Sequence, residues 1–315
     1  MPGLTRLTGA AWAAAGTVLL LSAASLVAER SVPTLLVTYF LPPLLWLPLP
    51  LAVLLLAAHR RAWSAAAVCA VASVTVLAQL GWAWPHAAPG TPRAGLPLRL
   101  LTYNVARGQG GPDALAGAIR AAHAQVVCLQ ETNAVHGDLP ALLAARLPGY
   151  AVVRSRETAI LTTLPVHSWR ADPLPGTARH LLSATLGVQG VQVTVLDAHL
   201  TTVPLRRDWQ AARAARDAQV DALLRRAAAT PGPLAVCGDF NTPARGMVYA
   251  RLQRSFTNAW QAGSGLGLTF PAAWPAVRID HVWLRGLTAT HASVPRSRAS
   301  DHRPLLVQLT VPAAP

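Results

Sequence analysis

Lysine is missing from all 315 residues, so every one of the 27 basic side chains is an arginine. So uniform an absence reads as a compositional bias of the source rather than a demand for guanidinium chemistry. Acidic residues are scarce too, 13 against those 27, and Glu29 is the one example before Leu96. Three cysteines make no disulfide framework. Cys69, Cys128 and Cys237 each lie in an apolar run, where a cysteine is expected to pack as a small hydrophobe. That count leaves the cellular compartment open. CxxC, HExxH and P-loop patterns are also missing, which sets aside a zinc site, a metalloprotease and a nucleotide cradle.

What is present falls into two materials. Met1–Gly95 is dominated by Ala, Leu, Val, Pro and Trp, with five arginines. Three stretches reach the roughly 20 apolar residues that span a bilayer. They are Leu7–Ala28, Thr34–Ala58 and Ala62–Trp84, separated by "ERSVP" and "HRR". The second contains Pro42, Pro43, Pro48 and Pro50 and is expected to be kinked. Trp63, Trp82 and Trp84 suit membrane interfaces. A cleavable signal peptide is the other reading of the first stretch, and it leaves the remaining two in place.

The expected organisation is therefore three transmembrane helices in residues 1–84, a Pro/Gly-rich linker over 85–95 and a soluble domain over 96–315. The loop-charge rule puts Arg6, Arg60 and Arg61 in the cytoplasm and leaves Arg30, offset by Glu29, outside. A multi-pass protein of the cytoplasmic membrane with an extracytoplasmic domain follows. Eleven linker residues reach at most ~35 Å, which keeps that domain near the lipid bilayer.

From Leu96 onward, 22 arginines face 12 acidic residues, a balance that favours polyanionic surfaces. Strand-like runs ("LPLRLLTYNVA", "QVVCLQET", "AILTTLPV", "VQVTVLDAHLT", "GPLAVCGDFN", "RIDHVWLRG", "SDHRPLLVQLTV") are interspersed with helical ones ("PDALAGAIRAAHA", "LPALLAARLPG" and an Arg-rich run over 205–229). This is the signature of layered α/β structure.

The strands end on polar residues. Asn104, Glu131, His199, Asp239 with Asn241, Asp280, and Asp301 with His302 all stand at or beside strand ends. Each alone has an ordinary explanation, such as an Asx-turn in "DFNTP" or an ion pair between Asp280 and Arg278. Together they suit phosphoester hydrolysis. Mg²⁺ or Mn²⁺ takes carboxylate and carboxamide oxygens, which Asn104, Glu131 and Asp301 offer. Asp239 with Asn241 can activate and orient a water, and His199 and His302 can donate to phosphoryl oxygens. Asp280 is available to hold His302.

In this order, "LTYNVA", "VVCLQET", "TAILTTLPV", "LDAHLT", "CGDFNTP", "RIDHVWL" and "SDHRPLLV" resemble the motifs of the endonuclease/exonuclease/phosphatase (DNase I-like) superfamily, over Leu96 to about Val311. The resemblance implies a four-layered α/β/β/α sandwich with a divalent-metal site at the common edge of two sheets. It also implies Asn104, Glu131 and Asp301 on the metal side, Asp239 and Asn241 at the water, an Asp280–His302 dyad and a His199 phosphate contact. Thr162 and Thr163 replace a common Ser-Arg pair, so Arg107 or Arg303 is expected to supply a phosphate contact. His281 stands where Tyr is common.

The three apolar stretches make the chain similar to bacterial membrane-bound members of that family. The expected activity is hydrolysis of a phosphate-containing substrate, lipid-linked in preference to DNA. A tethered nuclease using Arg206, Arg207, Arg213 and Arg216 is the second reading, and an inactive scaffold the third. No protein partner is inferable.

Overall fold

The computed structural model describes residues 2–27, 30–40, 43–84, 95–134, 137–202 and 208–313. The expected linker over 85–95 therefore lies, save Gly95, outside the described residues. The chain divides into two compact units: Met1–Trp82 with Pro243–Ala250, and Ala83–Thr242 with Arg251–Pro315.

The first unit is helical: α1 (Pro2–Val27), α2 (Val32–Phe40), α3 (Pro43–Trp46), α4 (Pro48–His59) and α5 (Trp63–Gln79). Three full-length spans are not what forms. One described helix, α1, is long and apolar enough to cross a membrane, with a mean hydropathy of 1.3 over Thr8–Ser25. The second expected span is cut into α2, α3 and α4, and prolines open both later pieces. A proline has no N–H to donate to the preceding turn and its ring clashes there, so it starts a helix more readily than it continues one. The third span is the 17-residue α5, about 26 Å at 1.5 Å per residue.

Within this unit small residues face one another. Ala11, Ala15 and Val18 of α1 pack with Ala57 of α4 and Ala65, Cys69, Ala72 and Val76 of α5. Large apolar side chains point outward instead: Leu20 is 73%, Leu55 70% and Trp63 69% exposed.

The second unit holds two six-stranded sheets. In chain order its elements are β1 (Gly95–Asn104), α6 (Pro112–Ala122), β2 (Val126–Gln130), α7 (Leu139–Arg146), β3 (Ala151–Ser155), β4 (Thr158–Thr162), β5 (Val166–Pro173), β6 (His180–Val188), β7 (Val191–His199), α8 (Trp209–Ala228) and β8 (Leu234–Asp239). After α9 (Gly246–Gln253) come β9 (Thr257–Asn258), β10 (Asp280–Arg285), β11 (Thr288–Ser293) and β12 (Leu305–Pro312). One sheet runs β11-β12-β1-β2-β4-β3 and the other β5-β6-β7-β8-β10-β9. At the centre of each, two strands are parallel, β1 with β2 and β7 with β8.

The period-2 alternation of strand side chains builds the layers. Leu98 and Leu100 of β1 and Val126 and Cys128 of β2 pack against Val193, Val195, Ala235 and Cys237 of the facing sheet. The intervening Leu101, Tyr103, Val127 and Leu129 pack outward against Leu115 and Ile119 of α6 and Leu139 and Leu143 of α7. Helix α8 buries Val220, Leu223 and Ala227. The architecture is an α/β two-sheet sandwich of the expected DNase I-like kind.

Cys128 and Cys237 are not separate hydrophobes, as their apolar surroundings lead one to expect. They form a disulfide between β2 and β8, closing 109 residues of chain. Only Cys69 remains a free thiol.

Candidate active site

Strand direction collects the polar ends at one rim. β1 stops on Asn104, opposite Gln130 at the end of β2, with Glu131 next. In the other sheet His199, Asp239 and Asp280 form one cross-strand row, because β8 runs parallel to β7 and antiparallel to β10. Asp301 and His302 precede β12, whose start lies beside the end of β1. Gly238 lets β7 and β8 come this close: an added Cβ would stand 1.8 Å from the Ala198 carbonyl oxygen. Glu131 and Asn241 take left-handed backbones, with φ of 56° and 46°. Such strain in non-glycine residues collects at functional sites.

Asn104 bridges the two sheets. Its Nδ2 donates to Glu131 Oε1 at 3.1 Å and to Asp239 Oδ2 at 3.0 Å, while its Oδ1 accepts from Ala106 N. Asp239 Oδ1 accepts from the backbone N–H of Asn241 at 2.8 Å. The Asn241 carboxamide donates to the Leu200 carbonyl instead of entering the site.

Two imidazoles flank Asp239 in the same way. His199 donates from Nδ1 to Glu157 Oε2 at 3.2 Å and holds Nε2 3.7 Å from Asp239 Oδ2. His302 donates from Nδ1 to Asp280 Oδ2 at 2.9 Å and holds Nε2 3.8 Å from Asp239 Oδ2. Burial works to lower the His302 pKa, but the charge of Asp280, its hydrogen bond, and the charges of Asp239 and Asp301 outweigh it. The imidazole is raised to about 10 and stays protonated. Asn104, His199, Asp239, Asp280 and His302 are all buried, whereas Glu131 is partly open and Asp301 is exposed.

Glu157, at the turn from β3 into β4, escapes sequence reading because nothing marks "SRETAI" as more than a charged turn. β4 is antiparallel to β2, so its start lies at the rim where β2 ends. Behind the site Asp197 is fully buried and accepts from Gln130 Nε2 at 2.6 Å. Burial pushes its carboxyl well above the ordinary range, against the Gln130 hydrogen bond and helped by the Glu157 charge.

Several expected contributors fall elsewhere. Thr162 pairs with Val126 at the opposite rim and bonds Gln125 O, so the missing Ser-Arg pair removes nothing from this site. Arg303 donates to Ala272 O, and Arg107 Nε lies 3.8 Å from Glu131 Oε2. Arg216 is buried and donates to the Phe240 and Asn241 carbonyls. Arg213 pairs with Asp217 at 3.7 Å. Neither leaves a free phosphate-binding face on α8, and Arg206 and Arg207 lie outside the described residues.

The donor set fits a hard divalent cation. Carboxylate oxygens of Asp239 and Asp280 lie within 4.8 Å of each other, with His302 as the hydrogen-bonding neighbour of Asp280 rather than a ligand, and the Glu131 and Asp301 carboxylates open to solvent beside them. Oxygen donors of this kind suit Mg²⁺ or Mn²⁺, and the nearby cysteine sulfurs are tied in the disulfide.

The profile of the Endonuclease/Exonuclease/phosphatase family matches residues 101–302, more than half of the sequence. The chain belongs to that family. A UPF0294 protein of Vibrio vulnificus (strain YJ016) is 36% identical over 102 residues, 30% of this chain and 33% of that protein. The chain thus matches about a third of that relative's length. Similar folds occur in an endonuclease/exonuclease/phosphatase from Beutenbergia cavernae (21% identity, TM-score 0.55, 70% of this chain and 73% of that one). Another is the Bacteroides thetaiotaomicron mannosyl-6-phosphatase Bt3783 (15% identity, TM-score 0.56, 68% and 99%). Enzymes of the family hydrolyse phosphoesters using divalent metals, and this rim carries a matching set of groups.

Proposed function

We propose that this chain is a divalent-metal-dependent phosphoesterase of the cytoplasmic membrane, its catalytic domain extracytoplasmic, acting on a lipid-linked phosphate or pyrophosphate. The observation that carries the hydrolase reading is the pair of imidazoles, each held at Nδ1 by a carboxylate and each turning Nε2 to Asp239.

Asp239, fixed by Asn104 and the Asn241 amide, accepts a proton from the attacking water. The water oxygen bonds phosphorus as the bond from phosphorus to the leaving oxygen breaks. His302, protonated on both nitrogens, donates from Nε2 to the oxygen that gains charge, and Asp280 keeps it oriented. His199, held by Glu157, turns its Nε2 to the same space. Glu131 and Asp301 would hold a divalent cation, which would supply neutralisation of phosphoryl charge. Asn104 presents its nitrogen to the carboxylates and so braces them.

Three observations support the membrane and compartment reading. The outward face of the first unit is apolar, its loop arginines favour a cytoplasmic N-terminus, and a disulfide persists in oxidising compartments. The short connecting segment raises the local concentration of lipid headgroups. In detergent with Mg²⁺ or Mn²⁺, the protein should release phosphate from undecaprenyl pyrophosphate and leave plasmid DNA intact, and Asp239→Asn should lower the rate by at least about 100-fold. Nicked plasmid with untouched lipid overturns the substrate reading. Wild-type rates in Asp239→Asn overturn the site.

A further inference from the structure

Beside the Glu157–His199 pair lies a cavity of ≈ 480 Å³ whose lining includes Arg107, Asn133, Arg156, Glu157, Thr177 and Arg179. Three guanidinium groups face one carboxylate there. That carboxylate is already engaged, since Glu157 Oε1 lies 3.2 Å from Arg179 Nε and Glu157 Oε2 accepts from His199. Arg179 is fixed between cavity and catalytic strand, donating from Nη1 to Leu200 O at 2.6 Å. Arg107 is the cavity's link to the metal side, its Nε 3.8 Å from Glu131 Oε2. Arg156 is exposed and has no ion pair or hydrogen-bond partner among the described residues.

We infer that this cavity binds a second phosphate group of the substrate, next to the one hydrolysed, so that the substrate class is a pyrophosphate or bisphosphate ester. The inference rests on the phosphoesterase reading and deepens it. The cavity holds a surplus of positive charge in planar, multi-donor form, the match for phosphate oxygens. Asn133 and Thr177 add uncharged donors. Through Arg107 and Glu157 the cavity adjoins Glu131 and His199 of the candidate site. An extended nucleic-acid backbone would call for a longer cationic track, whereas on α8 Arg216 is buried and Arg213 is paired with Asp217.

The test uses the full chain in detergent with two non-hydrolysable probes, methylphosphonate and methylenediphosphonate. Titration calorimetry in EDTA reads binding without turnover. Inhibition of bis(p-nitrophenyl) phosphate hydrolysis at fixed free Mg²⁺ reads it at the working site. The diphosphonate should bind wild type roughly tenfold tighter than the monophosphonate. Arg156→Ala should bring that ratio near one, with kcat for the singly charged diester unchanged, and Arg156→Lys should restore part of it. A ratio near one in wild type, or one untouched by Arg156→Ala, overturns the inference. A short oligonucleotide that outcompetes the diphosphonate and loses that advantage in Arg156→Ala assigns the cavity to nucleic acid and overturns it too. If wild type turns nothing over, the hydrolase reading falls while calorimetry still judges the cavity.

Discussion

His281 sits one residue from Asp280 of the candidate site, yet it points into the core. Its Nε2 donates to Thr242 O at 2.9 Å, and its ring meets Phe240 edge-on and Trp283 at a tilt. Burial first, and the Arg278 charge second, push its imidazole down to about 3, against the Thr242 bond and the Asp239 charge. In the unfolded chain the same group titrates near 6.5. Between about 6.5 and 3 the unfolded chain therefore holds more protons, and stability falls as pH falls. Urea midpoints taken from pH 7 to pH 4 should decline in wild type, and His281→Phe should flatten that decline. Parallel profiles for the two proteins would show that His281 is not the source. His302 acts with the opposite sign: its contribution is complete below about 6.5 and is lost as pH rises toward 10.

At the scale of elements, the disulfide between β2 and β8 ties the strands that carry Gln130 and Asp239, one from each sheet. A closed loop of 109 residues restricts the unfolded chain, by about 4.7 kcal/mol in the loop-entropy account. Replacing both cysteines by alanine should lower the unfolding free energy by roughly 2–5 kcal/mol, read from denaturant midpoints. Alkylation of the unreduced, denatured protein should tag Cys69 alone, and three tagged thiols would refute the bond.

Which elements could be read from sequence follows from where they lie. β1, β2, β7, β8, β10 and β12 are central, apolar and polar-ended, and they carry the site. β3, β5, β9 and β11 are sheet edges, ordered by a neighbour's hydrogen bonds rather than by their own pattern; β5 is exposed along most of its length. β6 is interior, but its "HLLSATLGV" breaks strict alternation. The Cys128–Cys237 pairing and the Glu157–His199 contact join residues far apart in the chain, and only the fold brings such partners together.

At the scale of the whole chain, the two units differ in which side chains they expose. The sandwich unit hides its leucines between layers. The helical unit packs alanines inward and presents Leu20, Leu55 and Trp63 outward. In water, so much exposed apolar surface would drive association. In a bilayer it has no cost, and small residues are what let helices approach where no hydrophobic force drives them together. The full chain should therefore sediment with membranes, resist high-salt and carbonate washes and come off only with detergent. Orientation follows from counting crossings. From a cytoplasmic N-terminus an odd number places the C-terminus outside and an even number returns it. A single crossing, by α1, from a cytoplasmic N-terminus would place the C-terminus outside. A C-terminal reporter that is active only in an oxidising compartment should then be active, and its fusion to a chain lacking residues 1–84 should be silent. Activity confined to the cytoplasm would reverse the orientation and remove the compartment in which the Cys128–Cys237 bond persists.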